Sequence, residues 1–464
     1  MNQVAWVLKS TFNGLLLVFF GWHFYRLSKW LATGGSKGKM PRRGTKSKAG
    51  FTRNGPGRLG LLRFSGNRGG RAEPADSVDC VEVAEAGETV IRAALLVAFL
   101  LPLTSRSARG DDSPDTPFPE ARRTAIEKAL DRSFGATKAP GVVVGIWVPG
   151  EGSYVGTRGV ADLDTRQPMR SDDSFRVGSI TKTFTATALL ILADAKKLGL
   201  DDRVSKYTPW VPNGDHITLR MLANMTSGLH SYTEVDSWVD TAFADIGRVW
   251  TPRELVDVGI SQPPDFPPGK GWHYSNTNYV LLGMILEQVT GKKIAQVFAE
   301  KIFRPLALTH TVWPTSTAMP APYAHGITVQ TLDHKQADAT NRNPSWAFTA
   351  GALISTLADL RTWVVSYTTG SLISPAMQKE RLTWVTMPPM TPEHAYGIGI
   401  AINHGWLGHT GELPGYNCAA HYLPSKKAVI VVMVNTDIPV GKANPAPMIF
   451  KALATVLTPD NVPE

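Results

Sequence analysis

Cysteine is nearly absent from this chain of 464 residues, which has only Cys80 and Cys418. The two residues lie on opposite sides of a change in composition, so we expect no disulfide framework. The fold must therefore rest on its hydrophobic core, and a chain with 43% hydrophobic residues is long enough to build a large one.

The chain also lacks the motifs of metal and nucleotide sites. His-Glu-x-x-His, Cys-x-x-Cys and the Walker-type glycine loop do not occur. The histidines are scattered, and His404, His409 and His421 lack the spacing of metal ligands. We therefore expect chemistry that needs neither a metal nor an organic cofactor.

Excess positive charge is missing from most of the sequence, although the formal net charge is +9. Residues 1–110 hold 17 Lys/Arg against 6 Asp/Glu, whereas the remaining residues carry a net charge of −2. The basic character belongs to the N-terminal quarter, and the rest has no basic patch typical of nucleic-acid binding. We expect no nucleic-acid partner.

No apolar run reaches the roughly 20 residues that span a bilayer. The first such run, Leu15 to Trp22, is too short, and residues 35–72 are rich in Gly, Lys and Arg without apolar periodicity.

The segment that begins at Arg92 is different. Eleven apolar or proline residues follow this basic residue, and small residues come next, before Gly110. This order is typical of a secretory signal peptide. We predict a basic extension (1–89), a signal peptide-like segment (90–110) and one folded domain (111–464). An exported protein is expected; a membrane anchor near the N-terminus is the alternative.

Strand-like stretches lie near both ends of the predicted domain, with mostly helical segments between them. The pattern predicts a helix over Ala121–Phe134, then strands over Gly141–Trp147 and Ser153–Val160 paired across a Gly-rich turn. Further helices are expected at Leu219–Thr226, Pro252–Ile260, Asn278–Val289, Ala358–Ser366 and Pro447–Leu457, and late strands at Gly397–Ile402, Cys418–Leu423 and Ala428–Asn435. This order predicts an α/β fold of the α+β type: one antiparallel sheet formed by both chain ends, flanked by helices, with a large mostly helical insertion.

A largely apolar helix from Ser179 to Leu198, stopped by Gly199, carries two polar residues in its first turn. Ser179 and Lys182 are three residues apart and share one face, so the amine can reach the hydroxyl. A buried lysine with a lowered pKa can take the serine proton, and the helix N-terminus can stabilise an oxyanion. The alternative is that Ser179 caps the helix and Lys182 is solvated, because Ser-x-x-Lys also arises by chance.

Tyr274 and Asn276 lie in a loop that leads into the helix expected near Asn278. One residue separates them, so in an extended loop both side chains can point the same way. A phenol can exchange a proton with serine or a leaving group, and an amide can hold a substrate carbonyl. Alternatively, Tyr274 packs the loop and Asn276 caps the helix.

His409, Thr410, Gly411 and Glu412 lie between two strand-like stretches. An exposed edge strand here could bind an extended substrate by its main chain. Gly411 would allow close approach to the backbone, and the N–H of Glu412 could donate to an oxyanion. The alternative is a hairpin with an incidental histidine.

Together, the triads that begin at Ser179, Tyr274 and His409 resemble the three motifs of the serine β-lactamase and penicillin-binding-protein superfamily. They occur in the family's order, 95 and 135 residues apart. Tyr-x-Asn as the second motif is similar to the class C β-lactamase and DD-carboxypeptidase branch. The likeness extends to flanking segments at 222–229, 268–291 and 350–360 and covers about residues 115–460.

The resemblance implies that Ser179 is the acylated nucleophile, that Lys182 is its partner and that Tyr274 is the general base. The sequence itself does not decide whether Lys182 or Tyr274 is the base in the acylation step, because the two are expected to titrate as a coupled pair. It also implies that Asn276 contacts the substrate amide and that the N–H groups of Ser179 and Glu412 form the oxyanion hole.

The implied reaction is acyl transfer on a small peptide, ester or β-lactam substrate. Association with the cell wall is a further expectation of the resemblance, and the oligomeric state is not predicted. His409 replaces the lysine of potent β-lactamases, and a histidine is mostly neutral near pH 7. We therefore predict a D-Ala-D-Ala-type carboxypeptidase first, an esterase next and a β-lactamase third. A non-catalytic penicillin sensor is the alternative from another class.

Overall fold

The structure is a computed structural model that describes residues 116–464. The predicted extension (1–89) and signal peptide-like segment (90–110) lie outside the described residues, so the export prediction stays a prediction. Among residues 116–464, no helix is both long enough and apolar enough to cross a bilayer.

The described part contains eleven α-helices. In chain order they are α1 (Glu120–Thr137), α2 (Thr181–Asp194), α3 (Leu219–Ala223), α4 (Asp236–Ala244), α5 (Pro252–Ile260), α6 (Asn276–Thr290), α7 (Ile294–Phe298), α8 (Phe348–Gly351), α9 (Leu357–Thr369), α10 (Pro375–Arg381) and α11 (Pro445–Leu457).

Eleven strands are found in the same residues, and seven of them form the main sheet. They are β1 (Gly141–Val148), β2 (Gly152–Gly159), β3 (Phe175–Arg176), β4 (Ile327–Thr328), β5 (Ala337–Asp338), β6 (Ile354–Ser355), β7 (His394–Tyr396), β8 (Ala401–Asn403), β9 (Trp406–Leu413), β10 (Tyr416–Leu423) and β11 (Ala428–Val434). The main sheet has the order β2-β1-β11-β10-β9-β8-β7, and each neighbouring pair is antiparallel.

Strands β1 and β11 are neighbours within the sheet, and there the N-terminal and C-terminal parts of the domain meet. Their sequences, GVVVGIWV and AVIVVMV, are buried at every position. Strands with no polar face require cover on both sides of the sheet, and β-branched residues suit such strands. The predicted sheet formed by both chain ends is therefore confirmed.

Successive residues of these strands face two different hydrophobic cores. Val142 and Val144 pack with residues of α1 and α11, such as Leu130 and Leu453. Val143, by contrast, belongs to the larger core that also contains most of the buried residues of α2, α6 and α9. The insertion between β2 and β7 thus covers one face of the sheet, as the alternation of side chains in a strand requires.

Two predicted boundaries are wrong for identifiable reasons. Helix α2 ends at Asp194 rather than near Leu198, because Lys196 adopts a left-handed conformation with φ 54°. The N–H groups of Lys196 and Lys197 donate to Ala193 O and Leu192 O, which is the Schellman pattern without its usual glycine.

The predicted strand Gly397–Ile402 covers the turn between β7 and β8. Gly399 has φ 66°, and the N–H of Gly397 donates to Ile400 O across 2.8 Å. A tight turn of this kind interrupts the ladder, so apolar alternation alone was misleading here.

Candidate active site

Ser179 lies in a 3₁₀ turn (Gly178–Ile180) that leads directly into α2. The turn packs against β9: a Cβ added to Gly178 would come within 2.5 Å of Glu412 N, and the residue has φ 52°. Only glycine allows the turn and the strand to come this close. Ser179 then lies on the wall of a cavity of about 1130 Å³.

Lys182 is fully buried one turn into the helix, with its Nζ 2.9 Å from Ser179 Oγ. Nζ also donates to Asn276 Oδ1 and to Ala350 O, each at 2.7 Å. Burial lowers the pKa of Lys182 well below its usual value. In its protonated form the amine can donate to all three oxygens. In its neutral form it has two N–H bonds and one lone pair; since the two carbonyl oxygens can only accept, the lone pair of that form faces the Ser179 hydroxyl.

The ring of Tyr274 lies beside this amine, with 4.8 Å between Lys182 Nζ and the ring centroid. Its hydroxyl is buried and makes no hydrogen bond to any residue of the described part. Burial raises the pKa of Tyr274, and the Ser179 hydroxyl only partly opposes this effect. Tyr274 is therefore a neutral phenol at neutral pH.

Asn276 is the first residue of α6, two residues earlier than the predicted helix start. The N-cap is Ser275, so Asn276 is not the cap of α6. Its Oδ1 accepts from Lys182, and its Nδ2 donates to Thr233 Oγ1 at 3.0 Å. The helix start thus holds the amide that orients the lysine.

The strand β9 carries the third group of predicted residues, but it is not an edge strand of the sheet. It pairs with β10 from Leu407 to Leu413 and with β8 only through Trp406–Gly408. From His409 onwards its other side therefore has no ladder partner among the described strands and faces the Ser179 turn. The expectation of an exposed edge strand was wrong for the sheet as a whole, although the second half of β9 is open on one side.

His409 is a buried, neutral histidine. Its Nδ1 donates to the carbonyl oxygen of Thr410, and its Nε2 accepts from the Tyr396 hydroxyl at 3.0 Å. Burial lowers the pKa of His409 to about 3. The ring supplies shape and a hydrogen-bond acceptor here, and no positive charge.

Gly411 is required by the packing of β9 against the nucleophile turn. A Cβ at this position would overlap the carbonyl oxygen of Val177 and lie 3.2 Å from Ser179 N. The backbone of β9 beside Glu412 therefore runs close to the Ser179 turn, while the neighbouring Thr410 lines the cavity.

The Glu412 side chain points to a polar group on the same cavity wall. It accepts from Asn444 Nδ2 at 2.6 Å and from Gln330 Nε2 at 3.4 Å. Burial and the neighbouring Asp437 raise the pKa of Glu412 to about 8. An incoming cation would reverse this shift, because it would stabilise the carboxylate.

Sequence reasoning did not find the remainder of the cavity wall. Aromatic residues dominate one side: Tyr232, Trp238, Phe243, Trp272 and Trp346. Arg342 also lines the cavity; its guanidinium donates to Ala242 O and lies 5.0 Å from the Phe243 ring centroid. Trp238 and Phe243 belong to α4, and Tyr232 lies shortly before it, whereas the others come from segments distant in sequence, and no shared motif along the chain indicated them.

The structure thus brings the predicted residues together at one place. The cavity is lined by Ser179, Tyr274, Asn276, His409, Thr410 and Glu412. Lys182 lies directly behind Ser179, and Gly411 packs against its turn. Their catalytic roles remain predictions. Within residues 116–464, no cluster of three or more His, Cys, Asp or Glu side chains could hold a metal ion.

Comparison with known proteins was made on both sequence and structure. The Beta-lactamase family model matches residues 124–453. Penicillin-binding protein 4* of Bacillus subtilis is 32% identical over 155 residues, 33% of this chain and 33% of that protein. A D-aminopeptidase of Cereibacter sphaeroides is 28% identical over 336 residues, 68% of this chain. The aligned part spans 60% of that D-aminopeptidase.

Among solved structures, a D-stereospecific amidohydrolase from Streptomyces sp. superposes with a TM-score of 0.64 and 34% identity. The match covers 71% of this chain and 97% of that structure.

Proposed function

Because this chain belongs to the Beta-lactamase family of serine hydrolases, we propose that it hydrolyses amides or esters of short amino-acid derivatives through an acyl-enzyme on Ser179. The observation that carries the proposal is the buried amine of Lys182, which lies 2.9 Å from Ser179 Oγ and 2.7 Å from each of two carbonyl oxygens.

In this mechanism the Lys182 lone pair takes the Ser179 proton as Oγ attacks the substrate carbonyl carbon. The oxyanion lies near the N–H groups of Ser179 and Glu412. Backbone donors that are already in position stabilise such a negative charge strongly. Tyr274, as a neutral phenol, passes its proton to the leaving amine or alcohol as the bond between that group and the carbonyl carbon breaks, and it then takes up the proton held by Lys182. Water next attacks the acyl carbon while Lys182, neutral again, accepts a proton from the water. Lys182 returns that proton to Ser179 Oγ as the acyl–oxygen bond breaks, which releases the acid and restores the free enzyme.

For the substrate, the cavity favours a free amino group over a free carboxylate close to the scissile bond. The carboxyl of Glu412 lines the cavity without a cation among its hydrogen-bond partners, and His409 is neutral. A substrate ammonium would supply the missing charge, as in a D-aminopeptidase or D-amino-acid amidase. A D-Ala-D-Ala carboxypeptidase, which the three motifs predict, is the second candidate; it is supported by the buried Arg342, whose guanidinium could bind a terminal carboxylate.

The test begins with a fluorescent penicillin, which should label the full chain and not Ser179→Ala. Steady-state hydrolysis of D-alanine and D-phenylalanine p-nitroanilides, their N-acetyl forms, a p-nitrophenyl ester and acyl-D-Ala-D-Ala then identifies the substrate class. Failure of every probe to label Ser179 or to be turned over would refute the hydrolase proposal, whereas labelling without turnover would indicate a sensor.

Substitution of Glu412 tests the ammonium site. Glu412→Gln should lower kcat/KM for the free-amine substrates about 10-fold or more, a charge-assisted contact being worth roughly 1.5–3 kcal/mol. It should change N-acetyl substrates little. Glu127→Gln, which removes an exposed carboxylate on α1, is the matched control. Equal losses on both substrate types would contradict the amino-group assignment.

A further inference from the structure

A chain of charged side chains lies at the cavity wall, outside the catalytic group. His273 Nε2 lies 3.1 Å from Glu234 Oε1, and its Nδ1 lies 3.2 Å from Asp265 Oδ2. The second oxygen of Asp265 contacts His230 Nδ1 at 2.7 Å. We call these four residues the charge clamp.

Both ring nitrogens of His273 face carboxylate oxygens, so both must carry hydrogens for the contacts to be favourable. The two hydrogen bonds, that of Asp265 first, raise the pKa of His273 to about 10. Although burial opposes it, hydrogen bonds from His230 and His273 lower the pKa of Asp265 to about 2. The ring is therefore a cation between two anions, and it cannot serve as a general base at neutral pH.

The clamp joins the two segments that hold the second motif. His273 and Asp265 belong to the loop between α5 and α6, and His273 directly precedes Tyr274. His230 and Glu234 bound the turn 230–234, which is opposite that loop across the start of α6.

Residues of the turn 230–234 also hold Asn276 in place. Ser231 Oγ accepts from the N–H of Asn276 at 3.1 Å, and Thr233 Oγ1 accepts from its Nδ2 at 3.0 Å. With its Nδ2 held, Asn276 presents Oδ1 to Lys182 at 2.7 Å. A displacement of the turn would therefore rotate the amide and release one acceptor of the Lys182 amine.

From this arrangement we infer that His273 is a positioning residue, whose ring bridges Glu234 and Asp265 to hold Tyr274 and Asn276 in the geometry that activates Ser179. The catalytic part of the inference rests on the proposed function; the structural part, the restraint of residues 273–277, does not. His273 itself does not contact Ser179.

The first experiment measures the acylation rate constant with a fluorescent penicillin. His273→Ala should acylate about 10- to 100-fold more slowly than wild type, because misplacing catalytic groups by about 1 Å can cost on the order of 100-fold. The His273 side chain is 37% exposed, so added imidazole can enter and should restore part of the rate. His216→Ala, which removes an exposed histidine, is the control.

A double-mutant cycle separates a clamp from a general loss of packing. Glu234→Gln combined with His273→Ala should be no slower than His273→Ala alone, because the first substitution has no remaining partner. If the losses in acylation rate of the two single variants added up in the double variant, the proposed bridge from His273 to Glu234 would be contradicted. Should His273→Ala fail to fold, His273→Gln, which keeps one donor, takes its place in the cycle.

Hydrogen exchange tests the restraint without using activity. The amides of residues 273–277 should exchange faster in His273→Ala than in wild type, and those of β1 and β11 should not change. Unchanged exchange at 273–277 overturns the inference. If acylation by His273→Ala is within 2-fold of wild type while Ser179→Ala is inert, the positioning role fails and the proposed function stands. If wild type itself is never acylated, the proposed function fails and the exchange data alone decide the clamp.

Discussion

A lysine amine in water is protonated at neutral pH, with a pKa of about 10.4. Lys182 departs from this because its side chain is fully buried and its partners are a hydroxyl and two carbonyl oxygens, without a carboxylate among them. The spacing of Ser179 and Lys182 predicted their contact. The pKa of Lys182, however, depends on the removal of water from its amine. Residues distant in sequence, such as Asn276 and Ala350, surround the amine and exclude that water.

Substitution of Lys182 tests whether its lone pair or its charge matters. Lys182→Met, which is similar in volume, should lower the acylation rate about 10²- to 10⁴-fold, the usual range for a general base. Lys182→Arg should lose as much, because a guanidinium is always protonated and cannot accept the Ser179 proton.

The measurement is stopped-flow acylation by a chromogenic cephalosporin or an activated ester, with circular dichroism to verify folding. If the arginine variant kept a rate within ten-fold of wild type, an electrostatic role for Lys182 would replace that of the base.

At the scale of elements, catalysis depends on how closely the Ser179 turn approaches β9. Glycines occupy both sides of the contact, Gly178 in the turn and Gly411 in the strand, and each would collide with backbone atoms if it carried a Cβ. The sequence indicated the use of Gly411 for close approach, but it assigned that approach to a ligand. The structure shows that the neighbour is the backbone at Val177 and Ser179.

A pair of glycine substitutions makes this contact measurable. Gly411→Ala should reduce kcat/KM more than 100-fold, because the added methyl moves the Ser179 turn away from the N–H of Glu412, and one oxyanion donor contributes about 10²-fold or more. Gly135→Ala, in the exposed part of α1 with no atom within 4 Å of the added Cβ, is the matched control.

The control should leave activity unchanged and raise the free energy of unfolding by about 0.5–1 kcal/mol, since alanine is preferred to glycine in helices. Urea denaturation and steady-state kinetics check both variants. An active Gly411→Ala enzyme would show that the turn can shift without cost.

For the whole molecule, stability depends on a sheet that is covered on both faces. Helices α1 and α11 cover one face, and there the ring of His421 stacks on Phe450 with 4.3 Å between ring centroids. Burial lowers the pKa of His421 to about 3, and its Nδ1 has no hydrogen-bond partner in residues 116–464.

The acid sensitivity of the fold should depend on this residue. An unfolded histidine binds a proton below pH 6.5, whereas folded His421 does so only near pH 3. Stability is therefore lost as the pH falls between these values, by at most about 1.4 kcal/mol per pH unit. His421→Leu should lose a few degrees less in melting temperature between pH 7 and pH 4 than wild type.

Thermal scans from pH 4 to pH 7 check this expectation, with His310→Leu, an exposed histidine, as the control. Because His421 lies on the face opposite the cavity, the activity of the variant at pH 7 should not change. If His421→Leu lost as much melting temperature at acid pH as wild type, the acid sensitivity of the fold would come from other buried groups, such as His409.

By itself the sequence determined the apolar strands β1 and β11, most helices, and the order and spacing of the three motifs. These features follow from the periodicity and local spacing of neighbouring residues, which the chain displays directly. Only the tertiary structure decided that burial lowers the pKa of Lys182 and of His409, that the Glu412 carboxyl lines the cavity, and that His273 joins two loops. Those properties arise from desolvation and from contacts between segments dozens of residues apart or more, and no pattern along the chain records them.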